Sequence, residues 1–455
     1  YLIENKVKTE DVIAIFMHRC PEVFISIMAV LKCGAAYLPL DPSYPSGRIS
    51  YMLDDSQTQL VLTQKSLLEK LPDGPRETLA VDTAWETQVA NLSTSPFSCK
   101  LTPENIAYLI YTSGSSGRPK ATMVSHRSIV NHAVAMAGHY QLDHTSRFSQ
   151  FFSLSFDGSA EDLYPPLISG ACLLCCANPS RRDFSEVLAF YSKHGITQLH
   201  LPTAIWHFFS AQLHHSKVQL PETLRLTSAG GEALSIEHLQ RFFRASRNRV
   251  RFMNVYGPTE TTVTSSILTL CDNEISSTEK GNLHIGKPLR NTQFYVLDQH
   301  MNPVPLGIPG ELYIGGKGVT RGYRRKPGLT AERFIPNPFC TDGQRMYKTG
   351  DLVRYDGKGK LHYLTRIDQQ IKIGSVRIEL SEIHSVLSTH PDIKECFVTT
   401  QDQQGDARIV AYYVSDVAQL NSTILREFMA NELPLFMLPT AYKHLPELPV
   451  TENGK

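Results

Sequence analysis

The sequence lacks an excess of charge of either sign. Its 45 Lys and Arg face 44 Asp and Glu, a formal net charge of +1, and the basic residues are spread throughout. That balance argues against nucleic acid and acidic surfaces as partners, because both need a clustered cationic face. No apolar run approaches the ~18 residues of a membrane span, and no apolar leader opens the chain. The nine cysteines are odd in number and irregular in spacing, which argues against a disulfide framework and for a reducing, cytoplasmic setting. Cys172, Cys175 and Cys176 cluster, but inside an apolar run and with no second ligand pair. Buried strand thiols fit them better than a zinc site. There is no internal repeat and no low-complexity tail.

What the sequence has is material for large cores: 42% of its residues are hydrophobic, and its length suggests about three domains. Up to about residue 290, helical and extended patterns alternate. Helical spacing covers Pro21–Leu31, Ser50–Asp55, Ser185–His194, Ala204–Leu213 and Ile236–Ala245. Short apolar strands fit Ala35–Leu40, Leu60–Thr63, Ile106–Ile110, Thr197–Leu201, Leu224–Thr227 and Val250–Val255. Such alternation predicts an α/β fold, with parallel sheets covered by helices. From Phe294 to Tyr363 the pattern becomes short strands punctuated by Gly and Pro, as in a small β-barrel or antiparallel sheet. After Asp368 a compact α+β unit is expected. Its helices lie near Leu380–Thr389 and Ile424–Glu432, and its strands near Glu395–Thr400 and Ile409–Val414.

The densest chemistry lies in Tyr111-Thr-Ser-Gly-Ser-Ser-Gly-Arg-Pro-Lys120, just after an apolar strand. Small residues let backbone N–H groups approach phosphate oxygens, hydroxyls add donors, and a terminal lysine offsets charge. The spacing is not that of GxxxxGK[ST], because Pro119 stands where that motif requires glycine. Thr112, Ser113, Ser115, Ser116 and Lys120 are therefore candidate polyphosphate ligands in a loop of another kind.

Other segments fall in a matching order: Leu31-Lys-Cys-Gly-Ala-Ala-Tyr-Leu-Pro-Leu-Asp41, Asn254-Val-Tyr-Gly-Pro-Thr-Glu-Thr-Thr262, Gly310–Tyr323, Tyr347-Lys-Thr-Gly-Asp-Leu352, Arg366–Lys372, Leu433–Pro439 and Asn453-Gly-Lys455. On these motifs the chain resembles, nearly end to end, the adenylate-forming enzymes, and among them the adenylation domains of non-ribosomal peptide synthetases. Its wording is similar to that of a cyanobacterial, anabaenopeptin-type synthetase. The resemblance implies a core over residues 1–367 and a mobile lid over 368–455 hinged at Asp368. It implies ATP and Mg²⁺, with Glu260 on the metal, Thr259 on the α-phosphate, Asn254 and Tyr256 at the adenine, and Asp351 on the ribose hydroxyls. Tyr363 and Arg366 fall near ribose and phosphates, and Lys455 at the α-phosphate and substrate carboxylate. Implied partners are an amino acid, a peptidyl carrier domain with its phosphopantetheine, neighbouring synthetase domains and an MbtH-like protein. The ends are expected to be cuts in a larger synthetase.

The same resemblance places Asp157 on a substrate α-ammonium and lines a side-chain pocket with Gly158, Glu161, His200, Ser228, Gly230, Val255, Val263 and Thr264. The two glycines suggest room for a large side chain. Glu161 suggests a guanidinium partner, and His200, by pairing with Glu161, suggests a phenol instead. The expected substrate is tyrosine, arginine or both. Three departures from the family wording stand out: Ser375 and Thr365 where glycines are usual, and Ala121 after Pro-Lys. Ser375 bears on the pantetheine tunnel. An acyl-CoA synthetase on the same fold and a silent docking module are the competing readings. Asp157 argues against the first, and the intact Glu260, Asp351 and Lys455 against the second.

Overall fold

Two seven-stranded sheets carry the first two-thirds of the chain. The computed structural model describes residues 1–455 except 96, 115–116, 177–182, 215–218, 272–282, 369, 374–375, 404–405, 418–419 and 450–455. Ser115, Ser116, Ser375 and Lys455 therefore lie outside the described residues. In the first sheet Val12–Phe16 pairs in parallel with Ala36–Leu40 on one side and Leu60–Thr63 on the other. All three strands are buried along their whole length, as continuous apolar runs covered on both faces must be. The helices Pro21–Lys32 and Ser46–Ser56 connect them. In the second sheet Arg251–Tyr256, Leu226–Gly230 and Gln198–Pro202 run parallel in that order.

These elements follow the sequence reading to within a residue or two at most ends. The strand read at Leu224–Thr227 is shifted to Leu226–Gly230, and the helix read at Ser50–Asp55 begins at Ser46. The longest helices that went unread are His126–Tyr140 and Gly158–Ile168, with Pro165 and Pro166 inside the second; the short helices Val81–Ala84 and Pro327–Arg333 were unread too. Thr292–Leu297, Gly310–Gly316, Arg345–Tyr355, Phe334–Pro336 and Leu361–Arg366 form an antiparallel sheet built on the long strand Arg345–Tyr355. Its pairing path is open among the described residues, so the barrel alternative gives way to the sheet. Cys172–Cys175 is a strand as read, but Cys172 is exposed rather than buried, and only Cys176 of the trio is fully covered.

The last unit has its own core, in which Ile383, Leu387, Ile409, Ala411, Leu425 and Met429 close a three-stranded sheet under two helices. A two-stranded hairpin, Gln370–Ile373 with Val376–Glu379, precedes it and reaches back to the first two sheets. Among the described residues no helix is long and apolar enough to cross a membrane.

The second sheet is anchored by Trp206, whose ring centroid lies 4.5 Å from that of Phe252 and 5.4 Å from that of Phe242. All three are 0% exposed. Phe242→Ala is expected to cost about 3–5 kcal/mol, because the close-packed neighbours collapse only partly into the cavity. Val130→Ala, at a position 58% exposed, should stay within about 0.5 kcal/mol. Denaturant midpoints of the two variants check this, and equal shifts would contradict the assigned core.

Candidate active site

The phosphate-type loop is a hairpin connection. Thr112 at the end of one strand pairs with Lys120 at the start of the next, so the loop's first hydroxyls and its lysine stand side by side. A Cβ on Gly114 would lie 2.0 Å from the Arg118 carbonyl oxygen, so only glycine lets the loop close this tightly. The Thr112 hydroxyl is buried with no hydrogen-bond partner. Lys120 is 4% exposed. Burial, reinforced by Arg377 and opposed by Glu260, brings its ammonium down to about 8. Its Nζ lies 4.8 Å from the Tyr323 ring centroid. Ala121 is buried in the strand and Thr365 is exposed.

Glu260 sits in a short turn, Thr259–Thr261, directly after the strand Arg251–Tyr256 and Gly257-Pro258. Its Oε2 accepts from Arg377 Nη1 at 2.7 Å, and its Oε1 from Tyr323 Oη at 2.7 Å. Lys120 Nζ is 3.9 Å from Oε1. Burial opposes its ionisation, but Arg377 and then Lys120 outweigh that and hold the carboxyl at about 2. Mg²⁺ takes one or two carboxylates together with substrate phosphates. Glu260 is of the right kind, and in this arrangement Arg377 and Tyr323 each engage one of its oxygens. Among the described residues no cluster of three or more His, Cys, Asp or Glu is arranged to hold a metal.

Asp351 and Arg366 face each other across paired strands. Asp351 Oδ1 accepts from Arg366 Nη1 at 2.8 Å, and Oδ2 from Tyr256 Oη at 2.5 Å. Asn254, Tyr256, Tyr363 and Arg366 line one cavity of about 800 Å³. Asp368 is gripped by Arg366 at 2.8 and 2.5 Å and caps the Gln370 N–H, so the expected hinge residue is tied to the arginine that also holds Asp351.

A second, tighter cavity of about 130 Å³ adjoins it and is lined by Asp157, Glu161, His200, Val255, Val263 and Thr264 among others. Strand register builds it: Ser228 pairs with His200, and Gly230 with both Pro202 and Val255. Thr262 and Val263 take φ of 65° and 64°, an outlier for β-branched residues. The turn is held by Thr262 Oγ1 on the Gly318 carbonyl at 2.7 Å and Thr264 Oγ1 on Glu161 at 2.6 Å.

Three expectations change here. The glycines do not leave open room: a Cβ on Gly158 would lie 2.7 Å from the Phe152 ring, and one on Gly230 2.5 Å from Val255. Ser228 stands behind the wall, with its hydroxyl 2.9 Å from Tyr140 Oη. Glu161 does not wait for a partner. Its oxygens accept from Tyr140 Oη at 2.5 Å, His132 Nε2 at 3.1 Å and Thr264, while His200 Nε2 stands at 3.7 Å. Burial raises it, but His200 and His132 bring it down to about 2. His200 in turn bonds Asp162 through Nδ1 at 2.8 Å, which orients it. His132, Tyr140, Asp162, Phe152 and Arg377 were missed. His132, Met136 and Tyr140 recur every four residues on one buried helix face, which is a signal the helical period carries.

Asp157 precedes the helix Gly158–Ile168. Burial, with help from Glu260, raises its carboxyl above the ordinary range against the pull of Thr259 and Lys372. Among the described residues no cation lies within ion-pair distance of it.

The AMP-binding enzyme family matches residues 1–324, and the AMP-binding enzyme C-terminal domain matches residues 382–455. The chain belongs to the AMP-binding enzymes. Along its full length this AMP-binding enzyme is 41% identical to part of a linear gramicidin synthase of Brevibacillus parabrevis and 40% identical to part of the dimodular nonribosomal peptide synthase of Bacillus subtilis. It spans 6% and 19% of their lengths. An artificially fused adenylation-PCP di-domain from Klebsiella oxytoca shares the fold, with a TM-score of 0.86 at 23% identity over 97% of this chain and 85% of that one. The four-domain nonribosomal peptide synthetase AB3403, bound to AMP and glycine, aligns over the whole chain and 33% of its own, at 30% identity and a TM-score of 0.69. The cyanobacterial likeness rests on sequence wording alone.

Removing one partner of the Glu260–Arg377 pair leaves a buried charge. Arg377→Met is expected to cost about 3–5 kcal/mol, and less than that when combined with Glu260→Gln. Because Glu260 is depressed from an ordinary 4.5 to about 2, its contribution is fully present above the unfolded value and lost as pH falls through the folded one. Acid unfolding of Arg377→Met should therefore begin at higher pH than in the parent. Coincident acid transitions would show that the pair carries no stability.

Proposed function

We propose that the chain activates an α-amino acid with ATP as aminoacyl-AMP and passes the acyl group to the pantetheine thiol of a carrier protein. The observation that carries this reading is Asp157, a half-buried carboxylate that lines the side-chain cavity with no ion-pair partner among the described residues, and whose proton affinity is raised. A substrate ammonium supplies the missing cation, which a fatty acid could not do. Adenylation forms a bond from the substrate carboxylate oxygen to the α-phosphorus. It breaks the α–β bridging P–O bond, and pyrophosphate leaves with the electron pair. Thr112, Ser113 and Lys120 supply donors and a cation to the departing phosphates, Asp351 takes the ribose hydroxyls, and Thr259 and Lys455 attend the α-phosphate. Mg²⁺ supplies further charge neutralisation when bound. In the second step a thiolate forms the C–S bond and AMP leaves. The relatives are peptide synthases, and one related structure holds AMP and glycine.

Asp157→Asn should abolish most amino-acid-dependent ATP–pyrophosphate exchange, by about 30-fold or more, since an unpaired ammonium in a desolvated site costs about 2–5 kcal/mol. In the parent the amino-acid KM should rise as pH falls through the raised Asp157 value, because the neutral acid no longer pairs. Full exchange activity in Asp157→Asn, or equal exchange with fatty acids, would remove the reading.

The second half of the proposal is a moving lid over 368–455. Ser113 Oγ donates to the Arg377 carbonyl at 2.8 Å, and the Gly114 N–H donates to Glu382 at 3.3 Å. Glu382 is itself held by Arg48 at 2.6 Å. These contacts occupy donors that polyphosphate requires, so the hairpin must withdraw before ATP binds. Asp368→Pro, by fixing φ, should slow one half-reaction at least about tenfold more than the other; equal losses in exchange and in carrier loading count against a hinge.

A further inference from the structure

We propose that His132 and Tyr140, on the helix His126–Tyr140, are positioning residues that hold Glu161 as an internally satisfied anion and so restrict the pocket to amino acids with uncharged side chains. The inference rests on the amino-acid reading above and narrows its substrate class.

Glu161 lines the cavity, whereas His132 and Tyr140 stand behind it, outside the ring of lining side chains. Both are almost fully buried, at 2% and 1% exposure, and Glu161 is at 0%. A carboxylate offers about four lone-pair sites. One oxygen takes the Tyr140 hydroxyl at 2.5 Å; the other takes His132 Nε2 at 3.1 Å and Thr264 Oγ1 at 2.6 Å. His200 Nε2 stands 3.7 Å from the first oxygen, beyond hydrogen-bond distance. Tyr140 has one proton, which is spent on Glu161, so the Ser228 hydroxyl 2.9 Å away must donate to Tyr140. The chain Ser228–Tyr140–Glu161 is thereby fixed in one sense.

A guanidinium or ammonium entering the cavity meets an anion with three of its about four acceptor sites filled by buried donors. It also meets His200, whose proton affinity is raised by Glu161 and Asp162. A cationic side chain would have to displace those donors and leave them unpaired in a desolvated site, which sites of this kind reject strongly. An uncharged side chain disturbs none of them. The sequence reading left the balance to Glu161 and His200; the geometry moves it to two residues on a neighbouring helix.

The test is ATP–pyrophosphate exchange by the parent, Tyr140→Phe and His132→Leu with a panel of uncharged amino acids, arginine and lysine, alongside each protein's thermal midpoint. The best uncharged substrate should exceed arginine in kcat/KM by about tenfold or more in the parent. Freeing a Glu161 oxygen should raise the arginine-to-uncharged ratio in each variant by about tenfold, as the loss of one bond to a charged group implies. A parent that prefers arginine or lysine overturns the inference. So does a ratio unchanged in the variants while both substrates slow together and the midpoint drops, which marks a purely structural role. If Tyr140→Phe fails to fold, the His132→Leu ratio decides. A parent that exchanges with no amino acid instead overturns the adenylation reading.

Discussion

The buried carboxylate of Glu260 is the point on which the site's architecture depends. Three segments distant in sequence converge on its two oxygens or stand beside them. These are the end of the phosphate-type loop through Lys120, the edge strand Gly322–Tyr323 and the C-terminal hairpin through Arg377, all meeting the turn after Arg251–Tyr256 that carries Glu260. A fully desolvated anion is tolerable only with cations and donors in fixed geometry. The first sheet, the second sheet and the last unit are therefore held in register by one charge. The same demand explains why Tyr323 pairs with Thr122, a strand neighbour of Lys120: the lysine needs an aromatic face as well as an anion to offset its burial.

The other buried carboxylates of the cleft follow one logic. Asp351 is held by Arg366 and Tyr256, Glu382 by Arg48 and the Gly114 N–H, and Glu161 by Tyr140, His132 and Thr264. Asp162 has His200 and the N–H groups of Phe151 and Phe152. Asp157 is met by a hydroxyl and the field of Lys372, and burial raises it as it raises Asp162. What sets Asp157 apart is the ion pair: the other four have one, and Asp157 has none among the described residues. The sequence reading gave Asp157 the substrate ammonium and left Glu161 facing the side-chain pocket without its partners His132 and Tyr140.

This difference marks what was legible. Parallel sheets, helix positions and the late α+β unit could be read because apolar runs and 3.6-residue spacing are local properties of the chain. The loop 111–120 was legible because small residues, hydroxyls and a lysine are rare together after a strand. The helix Gly158–Ile168 was not, because Pro165 and Pro166 contradict helical propensity. The pairing of Arg377 with Glu260 joins residues 117 positions apart, and no local pattern encodes it. The space above Gly158 was misread for a related reason. A glycine signals that something comes close, and whether that neighbour is a substrate or, as here, the Phe152 ring depends on tertiary packing.

The proline pair that hid this helix also shapes the pocket. Proline has no N–H, so Pro165 and Pro166 withdraw the usual helical donors from the carbonyls of Glu161 and Asp162. The two residues whose side chains bond His132, Tyr140, Thr264 and His200 lie on a turn relieved of part of its backbone ladder. Their placement is set less by the helix than by those side-chain bonds and by the Asp162 carboxylate on two consecutive N–H groups. Those N–H groups belong to Phe151 and Phe152, so the carboxylate that orients His200 also sets Phe152 over Gly158, with the Phe152 and His200 rings 4.6 Å apart. Pocket shape and pocket charge are therefore coupled through Asp162, and a change at either carboxylate of this helix alters both.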